Sequence, residues 1–326
     1  MTVAKFDQTE VSSETSDELL LKQQEMATHQ QSASMPVVAG GEVPTVTLWG
    51  DVWHRLRRNK LAIIGLGIII TMVLIAILAP LVATYPYDRQ NLDLSKIGPS
   101  SKHWFGTDTL GRDYFSRVIY GSRISVAIGF LTLAIFLAIG LPLGAIAGYF
   151  GGWADALIMR LADVMFAYPF IVGAIVVIQA VGEGVPRVYA LAIAIGFFAW
   201  AGIARLFRSS ILQAKSAEYV EAARALGASH ARVLVRHVIP NSLAPVIVFA
   251  AISTGGVILT EAALSFLGIG VQAGIPTWGL LVSEGKSYLT TEPWLVVFPG
   301  IAIVLTVLGF ILLGDGLRDS MDPRLR

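Results

Sequence analysis

Apolar stretches long enough to cross a bilayer recur along the chain after about residue 60. A helix that crosses the hydrocarbon needs roughly 20 mostly apolar residues. Six segments meet this requirement, with approximate bounds 61–82, 124–150, 156–181, 189–207, 243–268 and 294–313. The third is the most polar, because Arg160, Asp163 and Pro169 lie within it. The pattern predicts an all-α polytopic membrane protein with six transmembrane helices.

The first fifty residues carry a different pattern. Residues 1–50 hold seven acidic residues against two lysines, are rich in Ser, Thr and Gln, and sustain no apolar period. Such a composition predicts a disordered tail. We expect the transmembrane domain over residues 51–326, with its core over 120–320.

The charges beside the apolar segments predict the orientation in the membrane. Basic residues next to a membrane helix favour the cytoplasmic side, and a basic cluster precedes the first segment at Arg55, Arg57, Arg58 and Lys60. Six crossings then leave both termini in the cytoplasm, residues 84–123 in an outer loop and residues 209–241 in a cytoplasmic loop. The outer loop also carries several basic residues, which opposes this orientation. We keep it because the amphipathic segment described below belongs on the cytoplasmic side.

Composition excludes several classes of function. Only 14% of the residues are charged and 55% are hydrophobic, whereas soluble domains have about 25% charged residues. A net charge of +1 offers no basic field for nucleic acid. The absence of Cys rules out thiolate ligands, and the five His are scattered without metal-ligand spacing. We therefore expect no metal and no cofactor in this chain.

A glycine-rich stretch near the last apolar segment imitates a nucleotide site. Gly279 and Gly285 precede Lys286 and Ser287, but five residues separate the two glycines, where the phosphate-binding loop has four. The chain also has no nucleophile elbow. We expect a protein that is not an enzyme and whose energy comes from a separate subunit or a gradient.

The most informative stretch is amphipathic and lies in the cytoplasmic loop. Residues 218–226 are rich in Ala, Glu, Arg and Leu, which favour a helix. Gly227 interrupts this run, and a second amphipathic run over 229–238 is expected to end at Pro240. The pattern predicts a short helix, a turn and a second helix on the cytoplasmic face.

Two interpretations of this stretch follow from its side chains. Ala222 and Ala223 would allow a partner surface to approach closely, while Glu221 and Arg224 would supply a polar rim. The alternative is an amphipathic connector that lies in the membrane interface. From the residues alone the two interpretations are about equal.

The same stretch resembles the EAA loop of prokaryotic ABC importer permeases, through Glu221, Ala222, Ala223, Gly227 and Ile239–Pro240. In that family the loop is a coupling helix held in a cleft of the ATPase subunit. His237 replaces the usual Ile of the pattern, a substitution that is similar to the peptide/nickel branch. The resemblance implies that ATPase coupling depends on Glu218, Glu221, Ala222, Ala223, Gly227 and Pro240.

Two further blocks, residues 103–126 and 260–285, resemble the C-type permease subunit of dipeptide and oligopeptide importers. The resemblance covers about residues 50–326. It implies a type I ABC importer permease fold in a bacterial plasma membrane and a subunit that forms half of the pathway for di- or oligopeptides. The implied partners are a homologous permease subunit, two ATPase domains that bind ATP and Mg, and an extracytoplasmic solute-binding protein.

Two alternatives to this function stay open. A nickel or haem-type ABC importer permease would share the same blocks. A secondary carrier energised by a gradient would need buried ionisable residues in several spans and usually an internal repeat. The spans hold few such residues and no repeat is evident, which disfavours the carrier.

Ionisable residues inside the spans are candidates for the pathway or for gating, because charge in hydrocarbon is costly. They are Asp163 and Glu261. For Asp163 we favour a structural pair with Arg160, three residues away on the same helix. For Glu261, packing against the partner subunit and lining the pathway are equally favoured.

The remaining candidates concern the outer loop and the helix contacts. Contact with the binding protein, or gating, is expected at Trp104, Asp108, Gly111, Arg112 and Asp113. An interfacial aromatic belt is predicted at Trp104, Trp278 and Trp294. Tolerated kinks, rather than hinges, are predicted at Pro142, Pro169 and Pro299. Close helix contacts are predicted at Gly65–Gly67, Gly140–Gly144 and Gly255–Gly256.

Overall fold

A computed structural model describes residues 48–182, 184–271 and 274–321. The predicted tail lies outside these residues except for its last three, which begin a helix. The helices are α1 (Leu48–Arg58), α2 (Lys60–Val82), α3 (Tyr114–Phe150), α4 (Gly152–Ala167), α5 (Phe170–Val181), α6 (Arg187–Lys215), α7 (Glu218–Ala225), α8 (His230–Val233), α9 (Ile239–Phe266), α10 (Trp278–Gly285) and α11 (Trp294–Met321). Within the described ranges the β pairing is limited to one isolated bridge, Thr107 with Asp113. The predicted all-α fold is confirmed.

The membrane-spanning helices agree with six crossings. Among the residues that the structure describes, five helical segments are long and apolar enough to span a bilayer: α2, α3, α6, α11 and the continuous stretch His230–Phe266. A sixth crossing results if α4 and α5 are counted together, although they are bent by 103°. The described residues thus hold five spans, or the predicted six where the bent pair is one broken span.

The break between α4 and α5 corrects the prediction that Pro169 is a tolerated kink. Proline removes a backbone donor and forces the preceding residue into an extended conformation. Tyr168 accordingly has φ −82° and ψ 133°, and Pro169 caps the start of α5. The prediction holds at Pro142 and Pro299, which lie inside the continuous helices α3 and α11.

Helix α3 is longer than the apolar pattern predicts, because its first ten residues are mostly polar or small. It starts at Tyr114, where Asp113 caps it by accepting a hydrogen bond from the backbone N–H of Ser116 at 2.8 Å. Its 37 residues give a length of about 55 Å, well beyond a hydrocarbon core of about 30 Å. One helix thus connects both faces of the bundle.

Glycines bring α3 and α6 into close contact. A Cβ at Gly144 would lie 2.6 Å from the carbonyl oxygen of Ala204, and one at Gly148 would lie 2.8 Å from that of Arg208. Only glycine fits at this separation, and the predicted contact at Gly140–Gly144 is confirmed. Of the other two predicted pairs, only the first member of each packs closely: Gly65 against α11 and Gly255 against α11.

Candidate functional site

The segment between α6 and α9 folds as the predicted short helix, turn and second helix. In α7, Glu218 and Glu221 lie in the first turn and Arg224 in the last, which complements the helix dipole. Gly227 has φ +80°, and its N–H donates to the carbonyl of Arg224 at 2.9 Å while that of Ala228 donates to Ala223 at 3.1 Å. This pair of bonds is a Schellman motif, whose left-handed position favours glycine. The chain therefore reverses at Gly227 for a local backbone reason.

The second helix does not end at Pro240, which corrects the prediction. A π turn over Leu234–Val238 joins α8 to α9, and Pro240 lies in the first turn of α9. A proline is tolerated in a first turn because its missing N–H needs no partner there. Asn241 Nδ2 donates to the carbonyl oxygen of His237 at 2.7 Å, which satisfies one acceptor of the widened turn. The segment is thus continuous with the span α9.

One side of this coupling segment, defined here as Glu218–Val238, packs on the helix bundle. Val220, Val233 and Val238 are fully buried and belong to the same hydrophobic cluster as Phe207 and Ile211 of α6. Ala223 packs against that cluster and is partly buried. The segment is therefore a rigid extension of the transmembrane helices.

The other side of the coupling segment is open. Glu218, Glu221 and Ala222 are exposed, as are the apolar side chains of Leu226, at 88%, and Val235, at 64%. Leu226 and Val235 add apolar surface to the charged open side of the coupling segment. Of the predicted docking residues, Glu218, Glu221, Ala222 and Gly227 thus lie on this open side. Ala223 instead packs against the bundle, and Pro240 lies at the start of α9.

Tyr149, near the end of α3, anchors the base of the coupling segment. Its hydroxyl lies 3.2 Å from Nδ1 of His230, and its backbone carbonyl accepts a hydrogen bond from Nζ of Lys215. The guanidinium of Arg224 lies 5.9 Å from the centroid of its ring, within cation–π range. Residues from α6, α7 and α8 therefore meet at a single aromatic side chain.

The two ionisable candidates within the spans have different surroundings. The expected pair of Asp163 with Arg160 is wrong, because Asp163 Oδ1 lies 2.7 Å from Nη2 of Arg205 on α6. Glu261 is fully buried and accepts hydrogen bonds from Ser265 Oγ at 2.7 Å and Ser125 Oγ at 3.2 Å. Asp163 is exposed, whereas Glu261 joins α3 to α9 inside the chain.

The outer-loop candidates form a buried ion cluster. Asp108 Oδ2 lies 2.6 Å from Nε of Arg112 and 2.8 Å from Nη1 of Arg117, and Arg117 also reaches Glu284 of α10 at 2.6 Å. Arg117 is fully buried. These contacts fasten the segment before α3 to α10, so Asp108 and Arg112 hold the predicted outer loop against the helix bundle.

Of the other outer-loop candidates, two have structural roles and one is exposed. Asp113 is buried, and besides capping α3 it lies 2.7 Å from Nδ1 of His103. Gly111 has φ +68°, and a Cβ there would collide with the backbone of Asn91. Trp104 is 57% exposed, and it alone of the five predicted outer residues presents a large free surface among the described residues.

The aromatic belt needs one correction. Trp278 is 1% exposed, and its Nε1 donates to the carbonyl oxygen of Val118 at 3.1 Å. Trp278 therefore packs α10 against α3 and does not face lipid.

The described residues contain no group of three or more His, Asp or Glu that could hold a metal ion. The candidate site that they form consists of the accessible helix α7, the buried anchor Tyr149 and a continuous connection into the span α9.

Comparison with known proteins assigns this arrangement to a family. Residues 140–326, more than half of the chain, match the family described as the binding-protein-dependent transport system inner membrane component. The chain belongs to this family. Residues 47–99 also match the N-terminal TM domain of oligopeptide transport permease C. The chain is therefore a multi-pass inner membrane permease subunit.

Whole-length relatives of this permease carry peptide transport names. It is 44% identical to the dipeptide transport system permease protein of Alkalihalophilus pseudofirmus over 281 residues, which cover 86% of this chain and 91% of the relative. It is 41% identical to the oligopeptide transport system permease protein of Bacillus subtilis over 282 residues, covering 86% and 92%. It is also 41% identical to the glutathione transport system permease protein of Pectobacterium atrosepticum over 297 residues, covering 90% and 96%. The predicted membership of the peptide importer permeases is confirmed.

Solved structures support the fold of the permease. A chain of the MetNI methionine ABC transporter, crystallised in inward-facing conformations, superposes with a TM-score of 0.54 at 19% identity and covers 63% of this chain and 96% of its own length. A second crystal form gives a TM-score of 0.52 at 19% identity, covering 64% and 98%. At this identity the likeness concerns the fold, and it confirms the predicted importer permease fold.

Several residues of the permease site were missed from sequence. Arg117 and Glu284 lie 167 positions apart, so no spacing rule relates them. Tyr149 precedes two glycines at the end of an apolar run and offers no polar pattern of its own. The arginines in the second half of α6 were a usable signal, because Arg205 and Arg208 continue an apolar run within one helix.

Proposed function

We propose that this permease imports di- or oligopeptides as half of the translocation pathway of an ATP-driven transporter. A homologous permease supplies the other half, two ATPase domains bind ATP and Mg, and an extracytoplasmic solute-binding protein delivers the peptide. The names of the relatives support the substrate class, and the family description supports the dependence on a binding protein. Both termini and the coupling segment face the cytoplasm in this proposal.

The observation that carries the proposal is the construction of the coupling segment. Its exposed face is available to a soluble partner, while its buried face is fixed by Val220, Val233 and Val238. The π turn over Leu234–Val238 leads into α9 without a loop. A displacement of α7 is therefore transmitted to α9 through the packed coupling segment.

Two further contacts can transmit a displacement of the coupling segment into the helix bundle. Tyr149 links the segment to α3, which packs along α6. Helix α3 also reaches the outer ion cluster through Arg117. We infer that ATP-driven closure of the ATPase domains moves α9 and α3 together and so switches the access of the pathway.

Reconstitution tests the proposal. The permease is purified with its partners and incorporated into proteoliposomes, and uptake of a labelled dipeptide is measured with and without ATP and the binding protein. We expect uptake only when both are present and ATPase subunits that copurify with the permease. Uptake by the isolated permease would instead identify a gradient-driven carrier or a channel and would contradict the proposal.

A further inference from the structure

Two oppositely charged side chains on neighbouring spans are exposed. Arg205 of α6 and Asp163 of α4 form their 2.7 Å pair with 48% and 54% of the side chains exposed. A charge facing lipid hydrocarbon is costly, so ionisable residues within spans face water or a protein partner. The face of α4 and α6 that carries this pair therefore favours water or a protein partner over lipid.

A cavity lined by aromatic rings adjoins the ion pair. Its volume is about 480 Å³, within the range of small-molecule sites. The rings that line it are Phe136, Phe166, Tyr168, Phe170, Phe198 and Phe249. The guanidinium carbon of Arg205 lies 4.6 Å from the centroid of the Phe166 ring. The charges thus sit at the margin of the cavity.

The break at Pro169 creates this aromatic lining. Because α4 ends at Ala167 and α5 begins at Phe170, the residues on either side of the proline both turn toward α6. Tyr168 and Phe170 have ring centroids 6.3 Å and 5.8 Å from that of Phe198. An unbroken helix would direct these two side chains to different faces, so the bend is what forms the site.

We propose that this cavity is a peptide-binding site of the permease, in which Arg205 pairs with the C-terminal carboxylate of the peptide and Asp163 with its N-terminal ammonium. The inference rests on the proposed function, since it names where the transported peptide is held. Aromatic faces accept side chains of many shapes, which suits a carrier of varied sequences. The ion pair is exposed and so of low strength, which lets its two charges exchange partners with a zwitterion.

A dipeptide fits this arrangement when the ion pair opens. Two residues in extended conformation span about 7 Å, whereas Arg205 Nη2 and Asp163 Oδ1 lie 2.7 Å apart, so the two side chains move apart to take the two ends of the peptide. Ser253 and Thr260 of α9 also line the cavity and offer hydroxyl groups to the peptide backbone.

Thiol protection tests occupancy, because the chain has no Cys of its own. Ser253→Cys, with Thr260→Cys as a second reporter, is placed in the complete transporter and treated with a water-soluble thiol reagent. We expect labelling that slows several-fold during turnover with saturating dipeptide, while Ser216→Cys, exposed beyond the end of α6, labels at an unchanged rate. Cavity positions that never label, because lipid or the partner permease covers them, or that label equally with peptide, overturn the proposal.

Chemical selectivity tests the charges. In Arg205→Gln we expect uptake of a dipeptide with a free carboxylate to fall about tenfold relative to the same dipeptide amidated at its C-terminus, because a hydrogen bond to a charged group is worth about that factor. Arg208→Gln, whose partner is Asp155, is the matched control and should affect both peptides equally. If Arg205→Gln lowers the uptake of the free and the amidated dipeptide equally, the contact between Arg205 and the peptide carboxylate is contradicted. Uptake of dipeptide by the wild-type transporter separately reports the proposed function.

Discussion

The hydroxyl of Tyr149 lies 3.2 Å from Nδ1 of His230, and this contact joins the end of α3 to the start of α8. Tyr149 is 3% exposed, so water competes little for the bond. The contact ties the coupling segment to α3, a helix of 37 residues. It is therefore a point at which coupling can be weakened without touching the docking surface.

Tyr149→Phe should reduce peptide uptake per ATP hydrolysed by about two- to tenfold, the range of one net hydrogen bond. The aromatic ring stays in place for Lys215 and Arg224, so the fold should persist. The measurement is the ratio of dipeptide uptake to ATP hydrolysis in proteoliposomes. Tyr189→Phe is the control, because Tyr189 is 52% exposed at the other end of α6. An unchanged ratio in Tyr149→Phe would remove this bond from the coupling path.

Gly227→Val should uncouple ATP hydrolysis from uptake. Gly227 has φ +80°, a conformation that costs a residue with a Cβ roughly 1–2 kcal/mol, and a β-branched side chain is especially unsuited to it. No described atom lies within 4 Å of the new Cβ, so the effect comes from the backbone alone. Gly67→Ala, in the interior of α2 with equal free space, should couple normally. Normal coupling in both variants would show that the turn geometry is dispensable.

Glu221→Lys should weaken ATPase docking while the permease still inserts. Glu221 is exposed in the first turn of α7, so reversal of its charge opposes the helix dipole and alters the proposed contact surface. Copurification of the ATPase subunits with tagged permease measures the effect. Asp93→Lys, an equal reversal at an exposed outer position, should copurify normally. Equal recovery from both variants would argue against docking at α7.

Arg117→Met should destabilise the outer region strongly. The guanidinium is fully buried between Asp108 and Glu284, and removing one partner of a buried pair costs about 3–5 kcal/mol. Glu284→Gln should cost less, because Glu284 is 34% exposed and water replaces part of the contact. Thermal unfolding of the detergent-solubilised permease distinguishes the two. A smaller loss in Arg117→Met than in Glu284→Gln would contradict the buried cluster.

Glu261→Gln tests the prediction that Glu261 lines the pathway. Its carboxylate is fully buried between Ser125 and Ser265, and Gln retains a carbonyl oxygen that accepts from one of them. From this position we expect uptake close to that of the wild type. A clear loss of peptide uptake, with normal assembly, would show that Glu261 takes part in translocation.

The spans and the helix–turn–helix of the coupling segment could be predicted because they depend on local signals. Apolar length marks the membrane helices, and Gly227 marks the turn. The predictions that were wrong concern contacts between residues that are distant in the sequence. The partner of Asp163 is Arg205, on another helix, and Trp278 is buried because α10 packs inward against α3, which no local pattern records.

The proline residues show the same limit. Pro142, Pro169 and Pro299 all lie in apolar runs, yet only Pro169 breaks its helix. Pro142 lies between Gly140 and Gly144, where α3 packs closely against α6. An apolar run around a proline therefore does not by itself indicate whether the span breaks there.

Crosslinking from Ala222→Cys in the assembled transporter tests the central claim most directly. Ala222 is exposed on α7, and the chain offers no competing thiol. A short thiol-to-amine crosslinker should join this position to an ATPase subunit, whereas Ser95→Cys, in the outer segment, should not react with it. Recovery of Ala222→Cys without any ATPase adduct, in a complex that still transports peptide, would contradict the account.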